Sequence, residues 1–146
     1  MDIETTLTAD SSAIVWTAPA TQDASAVDAR EYFYHVRLQC TDQSGEECVI
    51  ENSHYPALFK QAKLEQANLT WQITEDNKGL WVDIDTDKPA LFVHLEFDGE
   101  GRFDASSFTL LPSAITEQTK RVRYEGDATA EELAQNLRIY HLRETY

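Results

Sequence analysis

The chain has 146 residues, of which 12 are basic and 26 acidic, for a formal net charge of −14. That length holds one domain, or one small domain and part of another, and falls well short of the roughly 250 residues of a (β/α)8 barrel. The charge repels polyphosphates and so argues against nucleic acid as a partner. No run reaches the about 18 apolar residues of a membrane span, and Met1-Asp2-Ile3-Glu4 lacks the basic start and apolar core of a signal peptide, which predicts a soluble chain and leaves its cellular location open.

In chain order, the apolar residues recur with a period of two almost throughout. Ile14, Trp16 and Ala18 alternate with Val15 and Thr17 over residues 12–18, which predicts a first strand with Trp16 in the core. The Ala-rich run from Ala20 to Ala26 follows Pro19, has no apolar stripe, and reads as a surface loop. Cys40 and Cys48 flank a stretch in which Gln43, Ser44 and Gly45 fit a three-residue hairpin loop, with Gly45 at the position that needs a left-handed backbone. That register sets Cys40 opposite Cys48 in a hydrogen-bonded pair, where side chains stand farther apart and a disulfide would be strained. The expectation is two reduced, apolar core thiols on the strand face of Tyr34, Val36 and Leu38. A zinc site would need two further ligands, and no second Cys or His pair stands at zinc spacing.

Leu69, Trp71 and Ile73 alternate with Thr70, Gln72 and Thr74, which again places a tryptophan, Trp71, inward. Leu80, Val82 and Ile84 then alternate with Trp81, Asp83 and Asp85, and the turn Asp87-Lys88-Pro89 leads into a strand over 90–97. Val122 and Tyr124 alternate with Arg121, Arg123 and Glu125. Near the end, Thr129-Ala130-Glu131-Glu132 fits a capping box, so one short helix is predicted through about Asn136, followed by a strand from Leu137 to Leu142. Short strands with a turn signal about every ten residues predict an all-β sandwich.

Two segments carry a family resemblance. Leu91-Phe92-Val93-His94-Leu95, the turn Gly99-Glu100-Gly101-Arg102-Phe103 and Phe108-Thr109-Leu110-Leu111-Pro112 resemble the A-L-F-V-x-L strand, Gly/Arg/Phe turn and F-x-L-L-P of the C-terminal immunoglobulin-like domain of β-mannosidases of glycoside hydrolase family 2. His141-Leu142-Arg143-Glu144-Thr145-Tyr146 is similar to the S-L-R-D-T-Y with which many of those enzymes end. Where the family has an Asp-Asn pair and later Gly-Glu, this chain has Ala105-Ser106 and Ser113-Ala114, so the resemblance supports packing and leaves a polar role of that turn open.

The resemblance implies an immunoglobulin-like β-sandwich with one short helix near the C-terminus, over residues 63–146. A segment like Glu51-Asn52-Ser53-His54-Tyr55-Pro56 links the last two sandwiches in the family, so residues 1–62 are either strands packed on the terminal sandwich or the tail of a preceding β-module. The first is favoured because half a module would expose its apolar face.

The residues themselves offer little chemistry. A retaining glycosidase needs two carboxyl groups about 5 Å apart across a sugar cleft, and the family's two catalytic glutamates lie in the barrel domain, which this segment does not match; no catalytic residue is expected here. Asp83, Asp85 and Asp87 fall at i, i+2 and i+4, but an EF-hand loop counted from Asp83 would need Gly at Lys88 and Glu at His94, so a solvated acidic face is expected and no metal. His35, His54, His94 and His141 lie on four separate segments and are expected at the surface or half-buried. Trp81, on the outer face beside Asp83 and Asp85, is the one candidate sugar contact, since an exposed ring flanked by carboxylates can grip a sugar face.

The expected role is therefore a non-catalytic accessory sandwich of a β-mannosidase that removes terminal β-linked mannose. Its partners would be the parent's other domains, mainly the catalytic barrel, and no cofactor is expected. The alternatives are an independent carbohydrate-binding module and a plain interaction domain.

Overall fold

The computed structural model describes residues 3–6, 12–17, 28–41, 45, 47–116 and 118–145. The strands are β1 (Tyr34–Thr41), β2 (Glu47–His54), β3 (Leu69–Asp76), β4 (Gly79–Thr86), β5 (Ala90–Phe97), β6 (Arg102–Phe103), β7 (Phe108–Leu110), β8 (Lys120–Glu125) and β9 (Leu137–Tyr140). Among the described residues two short helices, α1 (Ser113–Thr116) and α2 (Ala130–Asn136), complete the regular structure together with 3-10 turns at Phe59–Gln61 and Leu142–Thr145. A four-stranded sheet runs in the order β3-β4-β8-β6 and a three-stranded sheet in the order β7-β5-β9, while β1 and β2 form a separate two-stranded ribbon.

The two larger sheets share one core. Val82 and Ile84 of β4 and Val122 and Tyr124 of β8 come from one side, Ala90, Val93 and Leu95 of β5 with Leu110 and Leu137 from the other, and Leu133 of α2 closes an end. Period-two alternation drives this: Val82, Ile84, Val122 and Val93 are wholly buried while their strand neighbours face outward. Opposite Val82 lies Ile73 on β3 and Val122 on β8, so apolar residues meet across the ladder as well as across the sandwich. The expected strands over 69–74, 79–86, 90–97 and 121–125 are all present, and the capping box forms: the Glu132 amide donates to Thr129 Oγ1 at 3.2 Å and the Thr129 amide donates to the Glu132 carboxylate at 2.8 Å. The terminal strand is shorter than expected and ends at Tyr140, where the chain turns into the 3-10 turn.

β5 breaks the alternation at one point. Its pairing with β7 shifts register between Ala90 and Val93, an extra residue on β5, and Phe92 there has φ +53°. Ala90 and Leu91 are consequently both buried, while Phe92 keeps the outward side that alternation from Val93 and Leu95 gives it.

Both inward tryptophans require correction. Residues 12–17 form no strand, and Trp16 is 39% exposed with its ring 6.2 Å from that of Tyr34; Ala18 and the expected surface loop from Ala20 to Ala26 lie outside the described residues. Trp71 does sit on the core-facing side of β3, opposite Ile84, but β3 is an edge strand and the ring is left 39% exposed.

The thiols are corrected as well. Cys40 and Cys48 stand directly opposite each other, as the hairpin register predicts, and they form a disulfide across a Cα separation of 5.2 Å. That separation falls within the ordinary span of the bond. The expectation of reduced core thiols fails because β1 and β2 do not belong to the core: they form a ribbon beside the sandwich, with the two cysteines half-buried. Gly45 has the expected left-handed backbone, φ +83°, and its loop neighbours 42–44 and 46 lie outside the described residues. Without reductant, iodoacetamide should modify neither Cys40 nor Cys48, and should modify both after reduction; mass spectrometry of the native protein showing carbamidomethylated cysteine would contradict the bond.

The turn after β5 is fixed by one tyrosine. Buried Tyr124 donates from its hydroxyl to the Glu100 carbonyl at 2.6 Å, and Gly101, at φ +141°, passes so close that an added Cβ would fall on the Tyr124 hydroxyl. Both the dihedral and the space require glycine. Gly101→Ala should cost about 1–3 kcal/mol in urea unfolding, through strain and displacement of the ring; an unchanged midpoint would show that the turn yields freely.

Candidate functional site

The outer face of β4 carries Trp81, Asp83 and Asp85, as alternation requires once Val82 and Ile84 point inward. All three are half-buried. The Trp81 indole N–H donates to Asp76 Oδ1 at 2.9 Å, and this bond is the leading reason that the Asp76 carboxyl is held below the usual carboxylate range, ahead of the Lys78 amide and the Arg121 charge. Arg121 of β8 lies over the Trp81 ring, 4.5 Å from its centroid, and reaches Asp76 at 3.2 Å and Asp83 at 3.4 Å. Asp83 also accepts from the Thr74 hydroxyl at 2.7 Å. Trp81 and Asp83 thus belong to a brace across β3, β4 and β8, with a guanidinium on the indole face where a sugar would stack.

Asp85 serves a different junction. Its Oδ1 accepts the Ser113 amide at 2.9 Å and the Thr86 amide at 2.8 Å, and its Oδ2 accepts the Ser113 hydroxyl. Ser113 opens α1, so Asp85 satisfies an amide left free at the start of a helical turn and pins the loop after β7 to the opposite sheet. Ser113 is one of the two positions at which the chain departs from the Gly-Glu of the resembling pattern, and it carries a polar role of its own. Asp87 bonds both the backbone amide of Asn68, at 2.8 Å, and its side-chain amide, at 2.7 Å. The three aspartates therefore face three separate sets of partners, and no group of three or more potential metal ligands converges among the described residues.

The histidines do not meet. His35 Nδ1 pairs with Ser53 Oγ at 2.9 Å, His54 stacks on Tyr34, and His94 Nδ1 lies 2.6 Å from Ser106 Oγ with its ring 5.2 Å from that of Tyr140. The Ser106–His94 pair has no carboxylate orienting the imidazole among the described residues, so the third member of a nucleophilic triad is missing there. His141 departs from the expectation of a surface or half-buried ring: it is 2% exposed, with Nε2 3.3 Å from the Ala67 carbonyl.

His141 belongs to a clamp that closes the sandwich. Its amide donates to Glu144 at 3.0 Å, Arg143 Nε donates to the Leu64 carbonyl at 3.2 Å, and the Thr145 hydroxyl donates to the Leu142 carbonyl at 2.7 Å. The closing motif thus grips residues 64–67, where the chain enters the sandwich. Sequence reading found the motif by resemblance, but its contacts join residues more than 70 positions apart, which no local pattern discloses.

A second feature does not follow from the sequence: a cleft between the sandwich and the side of the β1–β2 ribbon that carries His35, Arg37 and Glu51. Two adjoining cavities of about 280 and 480 Å3 lie there, both lined by His35, Glu51, Thr109 and Lys120. The ribbon is held over it by Arg37, which donates to the Gln118 side chain at 3.0 Å, and by the Tyr55 hydroxyl, 2.7 Å from Thr109 Oγ1.

An Ig-fold domain family model, Ig_mannosidase, matches residues 64–145. No curated protein matches the chain.

The Ser113 hydroxyl, followed by burial working in the opposite direction and then by the Ser113 and Thr86 amides, accounts for an Asp85 carboxyl lowered from its ordinary 3.8. A lowered folded pKa means that the stabilisation is complete above the unfolded value and is lost as pH falls through the folded one. Asp85→Asn should therefore be less stable than wild type by about 1–3 kcal/mol at pH 7, with the gap narrowing as pH drops below about 4. Urea midpoints at pH 7, 5 and 3 measure it, and a gap that widens toward pH 3 would contradict the assigned role.

Proposed function

The chain belongs to the Ig-fold domain family of mannosidases, and on that basis we propose that it is the non-catalytic accessory sandwich of an enzyme that hydrolyses terminal β-linked mannose, packing against the parent's catalytic barrel and other domains. The family match over 64–145 is the observation that carries this reading. The local chemistry supports it. Asp76, Asp83, Asp85 and Asp87 are tied to partners within the chain, which suits structural carboxylates better than an acid/base and nucleophile pair facing a sugar.

For the segment before residue 63 we propose the tail of a preceding β-module, seated on the terminal sandwich through Arg37, Tyr55 and Phe59. The supporting observation is the ribbon's other face, where Val36, Leu38 and Ile50 are 57%, 48% and 58% exposed. A two-stranded ribbon with one such face is marginal by itself and is suited to being covered by further strands.

A carbohydrate-binding role is the second reading. At Trp81, Asp83 and Asp85 it would require Arg121 to leave the indole face. Mannose or mannan oligosaccharides up to about 1 mM, equivalent to about −4 kcal/mol of binding, should give no saturable change in tryptophan fluorescence; saturable quenching abolished by Trp81→Ala in a folded protein would establish that site instead. The purified chain should not hydrolyse an aryl β-mannoside. Turnover that disappears on mutation of one of its own carboxylates would overturn the accessory reading.

A further inference from the structure

The cleft beneath the β1–β2 ribbon has two chemically distinct ends. At one end Arg37, Lys120 and Arg121 line a cavity whose only described carboxylate is Glu51. In a chain of net charge −14, that is a local reversal of sign. Arg121 is held by Asp76 and Asp83 on its far side, but Lys120 has no carboxylate partner among the described residues; its ammonium lies 5.2 Å from the centre of the Phe108 ring. Arg37 is incompletely paired. Among the described residues its Nε–H is buried without a hydrogen-bond partner, and the nearest carboxylate oxygen, on Glu51, is 3.8 Å away.

The other end of the cleft is aromatic, lined by Tyr55, Phe59, Phe92 and Phe108. Phe92 lies on the outer face of β5, as alternation from the inward Val93 and Leu95 requires, and its ring meets that of Phe59 at 4.8 Å; the bulge holds this bulky residue at φ +53°. Backbone strain at a non-glycine residue persists only where the surroundings enforce it and often marks a site of function. Aromatic rings beside an under-neutralised pair of cations suit a ligand with a flat C–H face and a negative charge at its rim.

We propose that this cleft binds a carboxylate-bearing pyranoside, a hexuronic acid unit, with its carboxylate toward Lys120 and Arg37 and its ring against the Phe92 and Phe108 side. The saccharide class rests on the glycosidase family reading; the need for a negative charge rests on the cleft alone. Electrostatic selection predicts that the neutral sugar binds more weakly and that added salt weakens the acidic one.

The test is a titration of the 15N-labelled 146-residue chain, followed by NMR, with methyl β-D-glucuronide, methyl β-D-mannoside and sodium acetate. The expected result is saturable glucuronide shifts at the amides of His35, Arg37, Lys120 and Arg121, with a millimolar Kd, and much smaller shifts with the other two probes. Lys120→Gln should weaken glucuronide binding by about fivefold or more and Lys120→Arg should restore it. Glu51→Gln should tighten binding by about two- to fivefold, a gain that general loosening of the fold would not produce. Equal binding of the neutral mannoside would overturn the role of the carboxylate. Equal acetate shifts would reduce the cleft to a simple anion site, and no saturable shift by about 20 mM, equivalent to roughly −2 kcal/mol, would remove the site altogether. Failure here leaves the accessory reading standing, since that is tested separately by aryl β-mannoside turnover and by the Trp81 titration.

Discussion

β4 and β5 impose the constraint on which the rest of the sandwich depends. Val82 and Ile84 on one strand, and Val93 and Leu95 on the other, are almost completely removed from water and belong to one shared core. Fully burying each such side chain contributes about 1.5–3 kcal/mol relative to leaving it exposed, so these positions set which face of each strand points inward. Once they do, a one-residue slip in either strand would turn its apolar set outward, and the register is fixed. Trp81, Asp83 and Asp85 are then committed to the opposite side, and their polar partners follow as a consequence of core packing.

The outer polar contacts in turn lock connections that burial alone leaves loose. Asp85 ties the loop after β7 to the other sheet, Tyr124 ties the turn before β6 to β8, and Arg143 with His141 ties the closing segment to the entry at Leu64 and Ala67. Each joins one end of a strand to backbone amides or carbonyls that have no ladder partner. Unsatisfied amides and carbonyls at such junctions would cost about 1–3 kcal/mol each where buried, which explains why side chains distant in sequence are recruited there.

The parts of the fold that were legible in the sequence are those governed by local periodicity and local chemistry. Val82/Ile84 and Val122/Tyr124 announce their strands by alternation, and Thr129 with Glu132 announces a helix start, because in both cases the interacting residues are within a few positions of one another. Alternation gives direction but not depth: it correctly turned Trp71 toward the core side of β3 and could not show that β3 lies at an edge. The same limit applies to the cysteines: the hairpin loop discloses their register, while their redox state depends on β1 and β2 standing beside the core and not in it, which alternation does not disclose. Phe92 was invisible as a bulge because Leu91-Phe92-Val93 is an unbroken apolar run with no glycine to mark the irregularity. At the candidate site, the residues of the outer face were legible, while the guanidinium that covers Trp81 comes from a strand 40 positions away in the chain, Arg121 against Trp81.

The outward ring of Phe92 links β5 to the placement of the ribbon. Alternation counted back from the inward Val93 and Leu95 turns Phe92 outward, where it anchors on the sandwich the aromatic chain that runs from Phe33 through Tyr55 and Phe59. These ring contacts, at centroid separations of 5.2, 4.9 and 4.8 Å, are each worth about 0.5–1.5 kcal/mol beyond area burial. Together with the Tyr55–Thr109 and Arg37–Gln118 hydrogen bonds they are sufficient to hold a ribbon that a hairpin's own stability would not position. The disulfide acts on a separate degree of freedom: it joins β1 to β2 and fixes the ribbon's internal register, whereas the aromatic chain fixes where the ribbon sits. The shape of the cleft depends on both, because the ribbon supplies Arg37 and Glu51 while the sandwich supplies Lys120 and Phe108.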